Sequence, residues 1–277
     1  MPQATVNGTQ LFYERAGAAG KVGAPPLVFV HGFGCAHEDW APQVAAFGSR
    51  HQVVACDLRG HGASPGEPAS CSIETYGADV AALARALNLR GAVLIGHSMG
   101  TRVVLQACLD APDRVAGLVL VDGSFMAAAG ERAEEEARRA IASAGWAAFA
   151  GGLFAQMFFA PGPTADRIRA RAARLPEAIG TALFPDMVRW DARHMASALG
   201  RVGVPLLVVQ STMLTPERKR APLAAGANTP WFEMVRSRAP HARIEVVPGV
   251  GHFTMLEAPE TVNRLLAGFV ARLAPAR

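Results

Sequence analysis

A short apolar run that ends in a serine between two glycines is the feature that most constrains this chain. Val93, Leu94 and Ile95 lead directly into residues 96–100, which read Gly-His-Ser-Met-Gly. A short continuous apolar run is typical of a buried parallel strand, and Gly-x-Ser-x-Gly is typical of a sharp turn from strand to helix. We therefore expect Ser98 to stand at the carboxyl end of a strand, above a helix N-terminus that favours negative charge.

Strand and helix patterns alternate on both sides of this turn. Asn7-Gly8 between two β-type runs indicates an opening hairpin. Later apolar runs of strand type lie at residues 27–30, 51–57, 115–121, 204–210 and 243–247. Helical spacing separates several of them, as in Val80, Leu83, Ala84 and Leu87. The alternation predicts an α/β protein whose central sheet is mostly parallel, with helices on both faces. Ligands of such sheets bind outside the carboxyl ends of the strands.

The alternation stops after residue 124. Residues 125–197 lack a β-branched run, are rich in Ala and Arg, and carry i, i+4 charge pairs such as Glu134 with Arg138. We predict a core formed by residues 1–124 and 198–277, with a helical cap inserted at residues 125–197. Four arginines of the cap, at positions 167, 169, 171 and 174, are interpreted as a solvated helix face.

The middle of the predicted cap is the most aromatic part of the chain. Some of these side chains must pack the cap onto the core, and others are expected to wall an apolar pocket over the strand ends. The predicted pocket has no obvious charged clamp. Its expected substrate-binding residues are Phe33, Phe125, Trp146, Phe154, Met157, Phe158 and Phe253.

Composition excludes several other classes of protein. The 277 residues are 51% hydrophobic and 18% charged, enough for a large core, and the net charge of +4 comes from scattered arginines. Such scatter does not favour nucleic acid as a partner. No signal peptide and no apolar run of spanning length is found, so no membrane partner and a cytoplasmic location are expected.

The four cysteines show no metal spacing and are interpreted as small buried residues, Cys35 included.

Four ordered motifs together resemble the α/β-hydrolase superfamily, in particular its capped serine esterases and lactonases. They occupy residues 31–34, 57–64, 96–100 and 251–260. The resemblance implies the α/β-hydrolase fold, with Ser98 as nucleophile, His252 as general base, and the backbone N–H groups of Phe33 and Met99 as the oxyanion hole. It also implies loop-shaping roles for His31, His61 and His97, and structural roles for Asp57 and Arg59.

The acid that would orient His252 departs from the commonest family pattern. The position that usually holds it, in the loop after the strand at residues 204–210, is Leu214. Asp122 follows the strand after the nucleophile helix, where some relatives carry the acid, and is favoured because strand-end geometry is well fixed. Glu217 is the alternative, and a third reading is that the acid is missing.

The expected activity is hydrolysis of a carboxylic ester or lactone with an apolar acyl or aryl part, through an acyl-enzyme on Ser98. No cofactor and no metal are expected, because the chain supplies both the base and the oxyanion donors. Carbon–carbon bond hydrolysis and perhydrolysis use similar scaffolds and stay open as alternatives. A small-molecule receptor with little turnover also stays open, because a fold does not by itself define a function.

Overall fold

A large, mostly parallel sheet forms the centre of the molecule. The computed structural model describes residues 2–17, 24–215 and 217–273. In these ranges the strands are β1 Gln3–Val6, β2 Thr9–Ala16, β3 Leu27–Val30, β4 Val53–Cys56, β5 Ala92–His97, β6 Val115–Val121, β7 Leu206–Gln210, β8 Thr212–Leu214, β9 Arg220–Pro222 and β10 Arg243–Val246. Eight of them form one sheet in the order β1-β2-β4-β3-β5-β6-β7-β10.

The pairing in this sheet follows from the sequence pattern. β1 pairs with β2, and β2 with β4, in antiparallel fashion, whereas all the pairs from β4 to β10 are parallel. Every residue of β3, β4, β5 and β7 is buried, as expected for parallel strands that are covered on both faces. The predicted α/β class with a mostly parallel sheet is confirmed.

Helices connect the strands and cover the sheet. They are α1 Ala41–Phe47, α2 Ile73–Ala86, α3 Met99–Asp110, α4 Arg132–Ala144, α5 Trp146–Ala155, α6 Pro163–Ala172, α7 Glu177–Trp190, α8 Ala196–Gly200, α9 Pro230–Arg238, α10 Thr254–Glu257 and α11 Pro259–Val270. Local signals set several ends. Ser72 caps α2 by accepting a hydrogen bond from the Thr75 N–H at 3.1 Å, and α3 ends before Pro112. In the described part of the chain, no helix combines the length and the apolar character needed to cross a membrane.

All the elements between β6 and β7 are helical. α4 to α8 lie there, with a π-helical turn at Asp191–Met195. The cap boundaries at residues 125 and 197 stay a prediction, and α8 continues beyond the second of them to Gly200. A buried ion pair ties this insertion to α3, because Arg102 Nη2 lies 2.6 Å from Asp191 Oδ2.

Two local expectations were wrong. Arg171 does not belong to a solvated helix face: its side chain is 12% exposed and forms an ion pair with the buried carboxylate of Asp39. The segment after β7, expected to be a loop, contains a small hairpin in which β8 pairs with β9. Strands of three residues are too short for an apolar period, so they become recognisable only through their pairing.

Candidate active site

Ser98 occupies a strained position between β5 and α3. Its φ is 53° and its ψ is −113°, a region that costs a non-glycine residue energy. The flanking glycines are required by close contacts. A Cβ on Gly96 would lie 2.1 Å from the Gly100 carbonyl oxygen, and one on Gly100 would lie 2.5 Å from the Val30 carbonyl oxygen. The motif therefore packs the turn tightly and leaves the half-buried serine at the strand end.

The structure brings His252 and Asp122 together. Asp122 directly follows β6, and His252 lies in the loop between β10 and α10. His252 Nδ1 lies 2.6 Å from Asp122 Oδ2, and both side chains are buried. The His252 backbone N–H donates to the Met157 carbonyl oxygen at 2.7 Å, which ties the histidine loop to the end of the insertion. Among the described residues, no hydrogen-bond partner is found for the second ring nitrogen of His252.

The Asp122 carboxylate is surrounded by hydrogen-bond donors. Oδ1 accepts from the backbone N–H groups of Ser211 and Thr212 at 2.8 and 2.9 Å, and Oδ2 accepts from the Thr212 hydroxyl at 2.6 Å. Burial raises the pKa of Asp122 above 3.8, while the Arg220 charge and these donors lower it. The donors stabilise the ionised form, which suits a carboxylate that must orient an imidazole.

Glu217, the alternative acid, lies elsewhere. Its side chain is exposed, and a hydrogen bond with the Thr215 side chain contributes most to lowering its pKa. His252, by contrast, is 1% exposed. The geometry therefore pairs His252 with Asp122, and Leu214 lies in β8, beyond the backbone N–H groups that bind Asp122.

The electrostatic surroundings of His252 favour the neutral imidazole. Burial lowers its pKa well below 6.5, and the nearby positive charges of Arg220 and Arg102 lower it further. A neutral ring that donates from Nδ1 to Asp122 presents Nε2 as a proton acceptor. This is the protonation state that a general base needs.

A narrow cavity lies beside Ser98 and His252. About 30 Å³ of its space is wide enough for the centre of a water molecule, and the larger volume of about 420 Å³ between its lining atoms includes space open to solvent. Its lining consists of Gly32, Phe33, Cys35, His97, Ser98, Arg102, Ser124, Met126, Leu153, Phe154, Met157, Phe184, Met187, Arg220, His252 and Phe253. Four of the seven predicted substrate-binding residues are in this set: Phe33, Phe154, Met157 and Phe253.

The described residues that line the cavity do not include Phe125, Trp146 or Phe158, and their assignment to the substrate stays a prediction. Trp146 packs over α7, where a Cβ on Gly180 would lie 2.0 Å from its ring. Phe158 stacks on Phe253 with ring centroids 4.9 Å apart. Phe125 is partly buried and packs against both the main core and a small separate cluster of buried residues. Of the three rings, Phe158 thus contacts a residue of the cavity wall.

Two arginines in the lining contradict the expectation of a cavity without a charged clamp. Arg102 lies four residues after Ser98, one helical turn along α3, so its place near the serine could have been inferred from spacing. Arg220 begins β9, far from Ser98 in the chain, and no pattern in the sequence marks it. Its position depends on the β8–β9 hairpin, which brings Nη1 within 2.7 Å of the Thr212 hydroxyl and 3.4 Å of Asp122 Oδ2.

The backbone N–H groups of Phe33 and Met99 are the predicted oxyanion donors. Phe33 follows β3, and Met99 is the first residue of α3. Across residues 2–17, 24–215 and 217–273, neither N–H donates a hydrogen bond to a protein acceptor. Free N–H groups of this kind are suited to an oxyanion. This assignment stays a prediction.

The other loop residues of the four sequence motifs have structural partners. His31 Nε2 accepts from the Leu58 N–H at 2.9 Å, and Asp57 accepts from the backbone N–H groups of His37 and Ala63. Arg59 pairs with Asp79 rather than with Asp57. Among the described residues, no three His, Cys, Asp or Glu side chains are grouped so that they could hold a metal ion.

Cys35 lines the cavity but is poorly suited to act as a nucleophile. Its thiol donates to the Phe33 carbonyl oxygen at 3.3 Å, and burial raises its pKa well above 9.0. The thiolate is the reactive form of cysteine. Its place in the wall fits a small space-filling residue.

A parallel sheet with a serine at a strand-to-helix turn, next to a buried histidine–aspartate pair, defines a hydrolase type of site. Residues 27–265 match the alpha/beta hydrolase family, and the chain belongs to that family. The resemblance inferred from the four sequence motifs is thereby confirmed.

Individual relatives differ in how much of the chain they share. A putative carbamate hydrolase, RutD of Enterobacter cloacae, is 30% identical over 268 residues, which cover 91% of this chain and 93% of that protein. A non-heme chloroperoxidase of Streptomyces lividans is 44% identical over 119 residues, and this match spans only 42% of either chain. The solved structure of Est816, described as an N-acyl homoserine lactone degrading enzyme, superimposes with a TM-score of 0.78 at 25% identity and covers 97% of this chain and 100% of its own.

Proposed function

We propose that this chain is a serine hydrolase that cleaves a carboxylic ester or lactone with an apolar acyl or aryl part. The observation that carries the proposal is the 2.6 Å hydrogen bond between His252 Nδ1 and Asp122 Oδ2, beside the cavity that His252 shares with Ser98. A buried base with an oriented ring next to a serine is the arrangement that nucleophilic catalysis needs.

In the proposed reaction, His252 Nε2 takes the proton of the Ser98 hydroxyl as its oxygen attacks the substrate carbonyl carbon. The negative charge on the carbonyl oxygen is stabilised by the N–H groups of Phe33 and Met99. The tetrahedral intermediate then expels the alcohol oxygen, which receives the proton from His252, and an acyl-enzyme on Ser98 remains. Water, deprotonated by His252, attacks this ester and releases the acid.

Asp122 contributes by holding the proton of His252 on Nδ1. It keeps Nε2 free to accept the serine proton, and its negative charge stabilises the imidazolium that forms during the transfer. The two backbone donors from Ser211 and Thr212 fix the carboxylate itself. A rigid carboxylate is needed because small errors in position reduce catalysis strongly.

The cavity walls support the apolar part of the proposal. The apolar side of the lining comes from the helical insertion between β6 and β7, which contributes Leu153, Phe154, Met157, Phe184 and Met187. The space is narrow, so we expect a short acyl chain to be accepted more readily than a long one. The description of Est816 as a lactone-degrading enzyme supports the lactone part of the proposal.

The test is steady-state hydrolysis of p-nitrophenyl esters of graded acyl length and of simple lactones, on the wild type and on Ser98→Ala. We expect turnover in the wild type and its loss in the variant. A fluorophosphonate probe that labels the wild type but not Ser98→Ala would report an activated serine independently of the substrate. Absence of both turnover and labelling would contradict the proposal and leave the receptor alternative.

A further inference from the structure

Arg220 is a buried cation in the wall of the candidate active site. Its side chain is 6% exposed and lines the cavity together with Ser98 and His252. Burial lowers its pKa to about 10, so the guanidinium is still charged at neutral pH. A charge in such a place is costly unless it is paired and hydrogen-bonded.

The protein itself satisfies Arg220 only in part. Nη1 donates to the Thr212 hydroxyl at 2.7 Å and to Asp122 Oδ2 at 3.4 Å. Among the described residues, no acceptor is found for the N–H groups on Nε and Nη2. A guanidinium carries five N–H donors, so three donors of Arg220 have no partner in the part of the chain that the structure describes.

The other arginine of the cavity, Arg102, has protein acceptors for most of its N–H groups. Arg102 forms a two-pronged pair with Asp191, at 2.7 Å from Nε and 2.6 Å from Nη2. It also donates to the carbonyl oxygens of Ser124 and Ser98 at 2.7 and 3.3 Å. The protein therefore neutralises the charge of Arg102 and accepts most of its hydrogen bonds.

Asp122 cannot neutralise Arg220 in the same way. Its Oδ2 atom already accepts from His252 and from the Thr212 hydroxyl, each at 2.6 Å, and the contact with Arg220 is a single long one. The fork of Nε and Nη2 is the part of the side chain that binds a carboxylate in a two-pronged manner.

We propose that the substrate carries a carboxylate at the far end of its acyl part, and that this carboxylate binds the Nε and Nη2 groups of Arg220. The inference rests on the proposed serine hydrolase function and narrows its substrate class to half-esters or carboxy-substituted lactones. The apolar lining contacts the chain between the two ends, and Arg220 selects the charged end.

The kinetic test compares two esters that differ only in the terminal group, the mono-p-nitrophenyl ester of adipic acid and p-nitrophenyl hexanoate. We expect the wild type to favour the adipate half-ester in kcat/KM by roughly 10- to 100-fold, the range of a hydrogen-bonded charged group. Arg220→Gln should reduce this preference to near one. Arg218→Gln, which removes the same charge from an exposed position of the hairpin, should retain it.

Binding is measured separately, by calorimetry with two anilides that resemble the esters and resist cleavage, adipic acid monoanilide and hexanoic anilide. The wild type should bind the monoanilide roughly 10- to 100-fold more tightly, and Arg220→Gln should lose the difference. Arg220→Lys, which keeps the charge but not the fork, is expected to be intermediate and serves if Arg220→Gln does not fold.

The outcomes separate the two proposals. Equal affinity of the wild type for both anilides, or a preference that survives in Arg220→Gln, overturns the carboxylate site even if Ser98-dependent hydrolysis is found. A preference for the monoanilide that depends on Arg220, without turnover of any ester, supports the site and contradicts the hydrolase. An equal loss of kcat for both esters in Arg220→Gln, without any anilide preference, would reduce Arg220 to a positioning residue for Asp122.

Discussion

His97 Nε2 lies 2.9 Å from the backbone carbonyl oxygen of His252. The residue directly before Ser98 therefore binds the backbone of the residue proposed to deprotonate it. A carbonyl can only accept, so His97 carries its proton on Nε2, and burial keeps the ring neutral by lowering its pKa well below 6.5. The two rings also pack, with centroids 4.6 Å apart.

This contact predicts the effect of changing His97. His97→Ala removes both the donor and the packing, so the loop that holds His252 should lose its fixed position, and kcat for an ester should fall by roughly 10- to 100-fold. Steady-state kinetics checks this. His97→Gln, whose amide can donate to the same carbonyl, should recover part of the loss, and equal effects of the two variants would argue against the hydrogen bond.

The assignment of the acid is tested by comparing two carboxylates. Asp122→Asn keeps acceptors for Ser211 and Thr212 but presents an amide to His252, which favours the wrong tautomer, so kcat should fall by about four orders of magnitude. Glu217→Gln changes an exposed side chain and should leave kcat within several-fold of the wild type. The reverse ranking would move the acid to Glu217.

The pH dependence of kcat/KM should reflect the buried imidazole. Burial and the two arginines lower the pKa of His252 well below 6.5, so the base stays neutral at pH 6.5 and the acid limb of the profile should lie below that pH. Arg220→Gln removes a positive charge that disfavours the imidazolium, so the pKa of His252 rises and the limb moves to higher pH. A limb that moves to lower pH would contradict this account.

Cys35 should be dispensable for catalysis despite its place in the cavity wall. Its thiol is buried and protonated at neutral pH, since its pKa is raised well above 9.0. Cys35→Ser preserves the size of the side chain and its donor to the Phe33 carbonyl, so kcat/KM should stay within several-fold of the wild type. Loss of all turnover in this variant would implicate the thiol.

The ion pair between Arg102 and Asp191 should matter for stability. Asp191→Ala leaves a buried guanidinium without its partner and should lower the free energy of unfolding by about 3–5 kcal/mol, measured by urea denaturation. Glu135→Ala, which breaks the exposed pair with Arg139 on α4, is the matched control and should cost less than about 1 kcal/mol. Similar losses of unfolding free energy in both variants would contradict the expectation that the buried ion pair contributes more to stability than the exposed one.

Much of the fold was predictable because turn residues and apolar spacing in the sequence coincide with the strands and helices that the tertiary structure contains. The Asn7-Gly8 hairpin, the strand that leads to Ser98 and the helix that ends before Pro112 all lie where their turn residues and apolar spacing indicate. The β8–β9 hairpin was missed, since three-residue strands have no readable period. Trp146 and Phe158 were predicted to bind substrate, but sequence does not distinguish a ring that lines a cavity from one that supports it.

The sequence by itself determined the sheet, the turn at Ser98 and the family, because these depend on short-range constraints such as glycine contacts and apolar runs. Only the tertiary structure decided which carboxylate meets His252, and that Arg220 stands in the cavity wall. Asp122, Arg220 and His252 come from three segments of the chain that meet at one edge of the sheet. Their pairing depends on distances of a few ångströms between remote segments, which residue spacing along the chain does not encode.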